Sequence, residues 1–189
     1  MQLLNRLHVS VDPHPVSDRY VMHLGQADFL VDGAIELLEK LDGKIPMVLL
    51  TNGLSLVQRS RFAKAGISHY FRGIVISEEV GIQKPEPEVF RIALEYAGNG
   101  GAAPGGNATR SPGAGNGGAA PAGNGKVTEP VLPGRALMVG DNLNSDVKGA
   151  LDAGLDACWF NLRGHPADPA VTPTYTVHAL REIPALLGL

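Results

Sequence analysis

Two carboxylates, Asp141 and Asp146, stand in the stretch Val139-Gly140-Asp141-Asn142-Leu143-Asn144-Ser145-Asp146, directly after the apolar residues 136–139. An apolar run, a Gly-Asp turn and then a helical pattern put both acids at the carboxyl end of a buried strand, where open α/β sheets bind ligands. Paired carboxylates beside a phosphate site suit Mg²⁺, a hard cation that takes one or two carboxylates and keeps several waters. The plainer alternative makes Asp141 a helix cap and Asp146 a solvated first-turn acid. Two other stretches bear on the choice. Thr51-Asn52-Gly53 follows an apolar run at 47–50, so a hydroxyl and the Asn52 and Gly53 amides lie where a helix begins, a favourable place for an anion. Lys84, in Gly81-Ile82-Gln83-Lys84-Pro85, adds a positive charge on backbone restricted by proline. Singly, Thr51 reads as a helix cap and Lys84 as a solvated surface charge. In a parallel sheet the three loops share one edge, and their conjunction favours a site for a phosphoryl group.

The elements that must hold these residues follow from periodicity. Asp32 is a candidate N-cap for a helix whose Ala34, Ile35, Leu37, Leu38 and Leu41 recur at helical spacing, with Gly43 ending it. Strands are expected at 47–50, 73–76, 136–139 and 157–160, with a short edge strand at 175–177. Helices are expected at 55–65, stopped by Gly66, at 87–97 with Phe90, Ala93, Leu94 and Ala97 on one face, from the acidic turn to about 153, and at 180–187. Strand and helix alternate, and the apolar runs are too continuous for one exposed face. That is the pattern of a parallel sheet covered on both sides. Residues 1–28 are too little for a domain: Pro13 and Pro15 break a first helix, and Ser17 is a candidate N-cap for a second. Residues 98 to about 130 are rich in Gly, Ala, Asn and Pro with almost nothing to fill a core, so they read as a flexible insertion. A coil of about thirty residues spans roughly 30 Å, so it can leave and rejoin a domain without moving its flanks.

Composition narrows the function class. The chain has 189 residues, enough for one sizeable core, and a net charge of −3 with pI about 6.0. That charge gives no footprint for nucleic acid or an anionic membrane. A single cysteine, Cys158, leaves no internal disulfide and no Cys₂ or Cys₄ zinc site. No segment reaches the ~20 apolar residues of a membrane span, and the first residues lack the apolar core of a secretory signal. A soluble, cytoplasmic setting is expected by elimination. The six histidines are scattered, Cys158 and Trp159 read as packing, and Glu78 and Glu79 read as a solvated turn.

At the three strand ends the sequence resembles the haloacid-dehalogenase (HAD) superfamily, most of whose members are Mg²⁺-dependent phosphatases. LLTNG is similar to that family's second motif, VGIQKPEPEVF to its third and MVGDNLNSD to its fourth. VISEEVGIQKPEPEVF and ACWFN resemble one branch, the noncanonical pyrimidine nucleotidases, which are 5′-nucleotidases. The resemblance implies an α/β, HAD-like Rossmannoid core over residues 29–189, interrupted by the 98–130 insertion, with 1–28 a remnant of the helical cap. It implies that Thr51, helped by the Asn52 amide, binds the transferring phosphoryl oxygens and that Lys84 offsets their charge. Asp141 is expected to ligate Mg²⁺, with Asp146 beside or just behind it. The substrate expected is a small phosphorylated molecule, a nucleotide, and no nucleic acid polymer.

One family motif has no match. HAD phosphatases carry Asp-x-Asp at the end of the first strand, the first acid attacking phosphorus and the second moving protons. No aspartate here is followed two residues later by another. The resemblance therefore implies a chain without the central first strand and most of the cap, inactive and poorly folded alone. In the family's sheet that strand lies between those at 47–50 and 136–139, so its absence leaves two inner edges unpaired. The alternatives are a non-catalytic remnant that binds Mg²⁺, phosphate or a partner, and a receiver-like switch domain, which the order of Thr, Lys and Gly-Asp disfavours.

Overall fold

The computed structural model describes residues 14–26, 29–98 and 130–189. The expected segments before residue 14 and most of the 98–130 insertion lie outside the described residues. The first helix, α1, spans His14–Leu24, so Pro15 sits within its first turn and Ser17 does not begin it. Proline is tolerated there because first-turn amides have no intrahelical partner. The end of α1 is fastened to a later helix: the Gly25 carbonyl accepts from Ser60 Oγ at 2.9 Å and Lys64 Nζ at 3.1 Å.

Helix α2, Ala34–Leu41, starts after Gly33 in the left-handed region (φ 79°), with no side-chain cap, so Asp32 is not its N-cap. Strand β1, Val48–Thr51, leads into α3, Ser55–Ala65, which Gly66 ends at φ 68° as its sequence position predicts. Strand β2, Gly73–Ile76, runs into a one-turn helix, α4, Ser77–Val80, and then α5, Pro87–Gly98. After the insertion come β3, Leu137–Gly140, and a wide π-helical turn, Leu143–Lys148, where a regular helix was expected. One α-turn follows, α6, Gly149–Asp152. Strands β4, Asp156–Phe160, and β5, Tyr175–Val177, complete the sheet. A 3₁₀ turn at Leu180–Glu182 and α7, Ile183–Leu186, replace the expected single closing helix, because Pro184 has no amide to continue a ladder from the turn before it.

Among the described residues all strand pairing is parallel, in two separate half-sheets: β1 with β2, and β3-β4-β5 in that order. Among the described residues, β1 and β3 share no ladder. The larger core lies under β4 and α5, where Phe90, Val89, Val75, Val147, Ala157 and Trp159 are buried together. Cys158 points to the opposite face, onto Val177 and Ile183, as the two-residue period of a strand requires. Val89 was not among the core positions expected for α5, yet it is fully buried. Among the described residues no helix is long and apolar enough to cross a membrane.

Candidate active site

Thr51, Lys84, Gly140, Asp141 and Asp146 line one cavity of about 340 Å³ at the carboxyl ends of β1 and β3. The three expected loops therefore do meet. Lys84 is the centre of the arrangement. Its Nζ lies 2.8 Å from Asp146 Oδ1 and donates to the Leu50 carbonyl at 3.0 Å. The side chains are only 9% and 6% exposed, which makes this a buried ion pair rather than a surface one. An ammonium has three donors, so one remains for a ligand in the cavity.

Backbone clips hold the lysine there. Asn52 Nδ2 donates to the Lys84 carbonyl and the Lys84 amide donates to Asn52 Oδ1, both at 2.9 Å. The Lys84–Pro85 peptide bond is cis. Gly149 lets this loop close on the following helix: a Cβ at 149 would lie 2.9 Å from Pro85 and 3.0 Å from Phe90. Asn52 thus acts through its side chain, as a clamp on the Lys84 loop.

Asp146 comes from the π-helical turn. Its amide and that of Val147 both donate to the Asn142 carbonyl, which swings the carboxylate back over the end of β3. There Asp146 Oδ2 accepts the Asn142 amide at 3.0 Å, and Ser145 Oγ donates to Oδ1 at 3.2 Å. Gly140 makes room, since any Cβ there would meet the Asp146 carboxylate at 2.4–2.6 Å. The helix cap of the plainer reading is Asn142, whose Oδ1 accepts the Asn144 and Ser145 amides. Asp141 is not the cap; it is exposed, and Trp159 Nε1 donates to its carbonyl at 3.0 Å. Trp159 therefore packs and also fixes the Asp141 backbone, a role its sequence position does not reveal.

The N-terminus of α3 differs from expectation. The Gly53 amide donates to Ser77 Oγ at 3.0 Å, and the Ser55 amide donates to Glu78 Oε2 at 2.7 Å. Glu78 thus fills the anion position at this helix end, and Gly53 faces a separate cavity with Ser77 and Gly81. Gly53 does not reach the Lys84 cavity. Glu78 and Glu79 are exposed, as a solvated turn would be, and each also carries hydrogen bonds. Arg59 Nε lies 2.6 Å from Glu79 Oε1, and Ser55 Oγ also donates to that oxygen. Burial raises the Glu79 carboxyl, but the bonds from Arg59 and Ser55 and the Arg59 charge outweigh it and hold it below the ordinary glutamate value.

The donor set admits a divalent cation through Asp141. Its carboxylate is open to solvent, whereas Asp146 is already engaged by Lys84 and Asn142. Among the described residues no three His, Cys, Asp or Glu side chains converge, so a cation here needs water and ligand oxygens to complete its shell. That is how Mg²⁺ is commonly held.

With this fold and site in view, the comparisons are direct. A family model for haloacid dehalogenase-like hydrolases matches residues 2–154, and the chain belongs to that family. It is 32% identical over 179 residues to the pyrimidine 5′-nucleotidase YjjG of Escherichia coli, covering 95% of this chain and 66% of that one. It is 35% identical over 139 residues to a phosphoserine phosphatase of Thermus thermophilus, covering 74% and 43%. The crystal structure of YfnB from Bacillus subtilis bound to magnesium superposes with a TM-score of 0.75 at 28% identity, covering 100% of this chain and 69% of that one. The chain thus spans about two thirds of the length of YjjG.

Proposed function

We propose that this chain carries the phosphate-binding and charge-compensating part of a Mg²⁺-dependent phosphohydrolase site for nucleoside 5′-monophosphates, and that alone it binds such esters without hydrolysing them. The observation that carries this reading is the buried Lys84, held by Asp146 and the Leu50 carbonyl with a donor left toward the cavity. In such a site Lys84 and the Thr51 hydroxyl bind phosphoryl oxygens, and Asp146 holds the Lys84 ammonium in place. Mg²⁺ on Asp141 would supply further positive charge where it develops in phosphoryl transfer. A nucleotide is supported by relatives: YjjG and PynA of Streptococcus pneumoniae are pyrimidine 5′-nucleotidases. It is also supported by an adjoining cavity of about 880 Å³, where Phe29, Trp159, Arg163 and His165 surround Asp141. That volume suits a nucleoside. The absence of any Asp-x-Asp in the sequence removes the family's nucleophile, which is why binding is expected without turnover.

Calorimetric titration with UMP and with inorganic phosphate, with and without MgCl₂, tests this directly. UMP should bind more tightly with Mg²⁺, and Thr51→Ala should weaken it about tenfold, the value of one charge-assisted hydrogen bond. Absence of binding for both ligands would sink the assignment of the site. Phosphate release from UMP at a rate that Lys84→Gln abolishes would overturn the expectation of inactivity.

A further inference from the structure

Asn52 and Gly53 form a dipeptide with a chemistry of its own. Glycine has no side chain to crowd its nitrogen, which can reach back to the side-chain amide carbon of the preceding asparagine. Attack by that nitrogen on Asn52 Cγ forms a five-membered imide and expels ammonia. Water then opens the imide at one carbonyl to give aspartate, or at the other to give isoaspartate. Ring closure needs Cγ free to turn toward the Gly53 nitrogen, and that nitrogen free to give up its proton. The structure opposes both movements. Asn52 Nδ2 donates to the Lys84 carbonyl and Oδ1 accepts from the Lys84 amide, so the whole amide group is held against another loop. The Gly53 N–H is committed to Ser77 Oγ at 3.0 Å. All three bonds run to one segment, 77–84, so a single movement of that segment releases them together. Asn52 is exposed, so water reaches it as soon as the segment lifts.

We infer that Asn52 is a site of spontaneous deamidation guarded by the loop that carries Lys84. While the clamp is closed the imide cannot form, and each opening of the loop exposes Asn52 to the reaction. The change runs one way. Aspartate at 52 keeps an acceptor for the Lys84 amide but sets an anionic oxygen against the Lys84 carbonyl. Isoaspartate also adds a carbon to the main chain directly after Thr51. Either product leaves the loop that holds Lys84 beside Asp146 without its two-bond clamp. The cavity therefore loses its order in proportion to the time the loop has spent open. The inference stands on the clamp alone and does not require the phosphatase reading.

The test is the rate of conversion at Asn52 in the full chain, incubated at mildly alkaline pH. Asn99, Asn116 and Asn124 also precede glycine, so the change of NH₂ to OH is followed by peptide mapping rather than by intact mass. An amidated peptide of residues 50–61 supplies the rate without any clamp. Asn52 in the chain should convert at least about tenfold more slowly than in the peptide. Ser77→Ala, which frees the Gly53 amide, should speed conversion in the chain about fivefold, the value of one hydrogen bond. Ser60→Ala, which removes a bond elsewhere on α3, should leave the rate unchanged. The isoaspartate form, separated by chromatography, should show faster hydrogen exchange at the Lys84 amide than the parent chain. Equal rates in chain and peptide would overturn the inference, as would a rate that Ser77→Ala leaves unchanged. So would parent-like exchange at Lys84 in the isoaspartate form, or no product in either chain after the peptide has converted.

Discussion

The strands beside the cleft between the half-sheets, β1 and β3, are half-buried along their whole length, whereas their neighbours β2 and β4 each include fully buried residues. In β2, Val75 and Ile76 are 1% and 0% exposed, and in β4, Ala157 and Cys158 are both 0% exposed. A parallel sheet with helices on both faces normally buries its middle most. Here the middle is the open part, and the outer ladders carry the packing. Yet the polar site is built on the half-buried strands, at the ends of β1 and β3. Its order comes from clips that reach across the cleft, above all the pair between Lys84 and Asp146. That pair ties the loop after β2 to the turn after β3, so it joins the two half-sheets at one edge.

If that pair is the tie, Lys84→Met should give the largest effect. It leaves Asp146 buried without a counter-ion, at a cost of about 3–5 kcal/mol in urea unfolding. Asp146→Asn on the same background should recover most of the loss, because it removes the stranded charge. A single-variant cost under about 1 kcal/mol would mean that the pair is solvated, and the two half-sheets would then be joined by something else.

Core truncations sharpen the contrast between outer and inner strands. Ile76→Ala in β2 should cost about 2–5 kcal/mol, the range for a fully buried aliphatic side chain. Leu49→Ala in β1 should cost only about 1 kcal/mol, since a half-buried leucine has less transfer free energy to lose. Equal costs would erase the distinction.

The smallest effect concerns pH and the sealed strand β4. Burial, with a further contribution from the Glu182 charge, pushes the Cys158 thiol up to about 11 from an ordinary 9.0. The unfolded chain loses this proton first, so the stability from the neutral buried thiol is whole below pH 9.0 and falls as pH rises to about 11. Unfolding midpoints measured across that window should decline more steeply for the parent chain than for Cys158→Ala. Parallel declines would show that Cys158 is not sealed from water.

Much of this molecule is legible in its residues. Apolar runs located β1 to β4 to within a residue or so, because a buried strand needs continuous apolar side chains. Gly66 stopped α3 because only a left-handed residue fits there. Thr51, Lys84, Asp141 and Asp146 stood out by chemical type and order, and the structure brings all four to one cavity. Less legible were contacts between residues distant in sequence. Nothing near Gly53 announces that Ser77 takes its amide or that Glu78 caps α3, since those partners lie more than twenty residues away. Likewise, Asn52 reads locally as a turn residue, and its clamp on Lys84 exists only once the two loops are adjacent.

The division has a physical basis. Periodicity, glycine placement and side-chain type are local properties, and they determined the elements, the α/β class and the candidate residues. Tertiary structure decided which carboxylate is engaged and which is open. The π-helical turn folds Asp146 over Gly140 onto Lys84 and leaves Asp141 in solvent. The gap between β1 and β3 was instead expected from the resemblance, whose missing first motif leaves two inner edges unpaired, and among the described residues those two strands share no ladder.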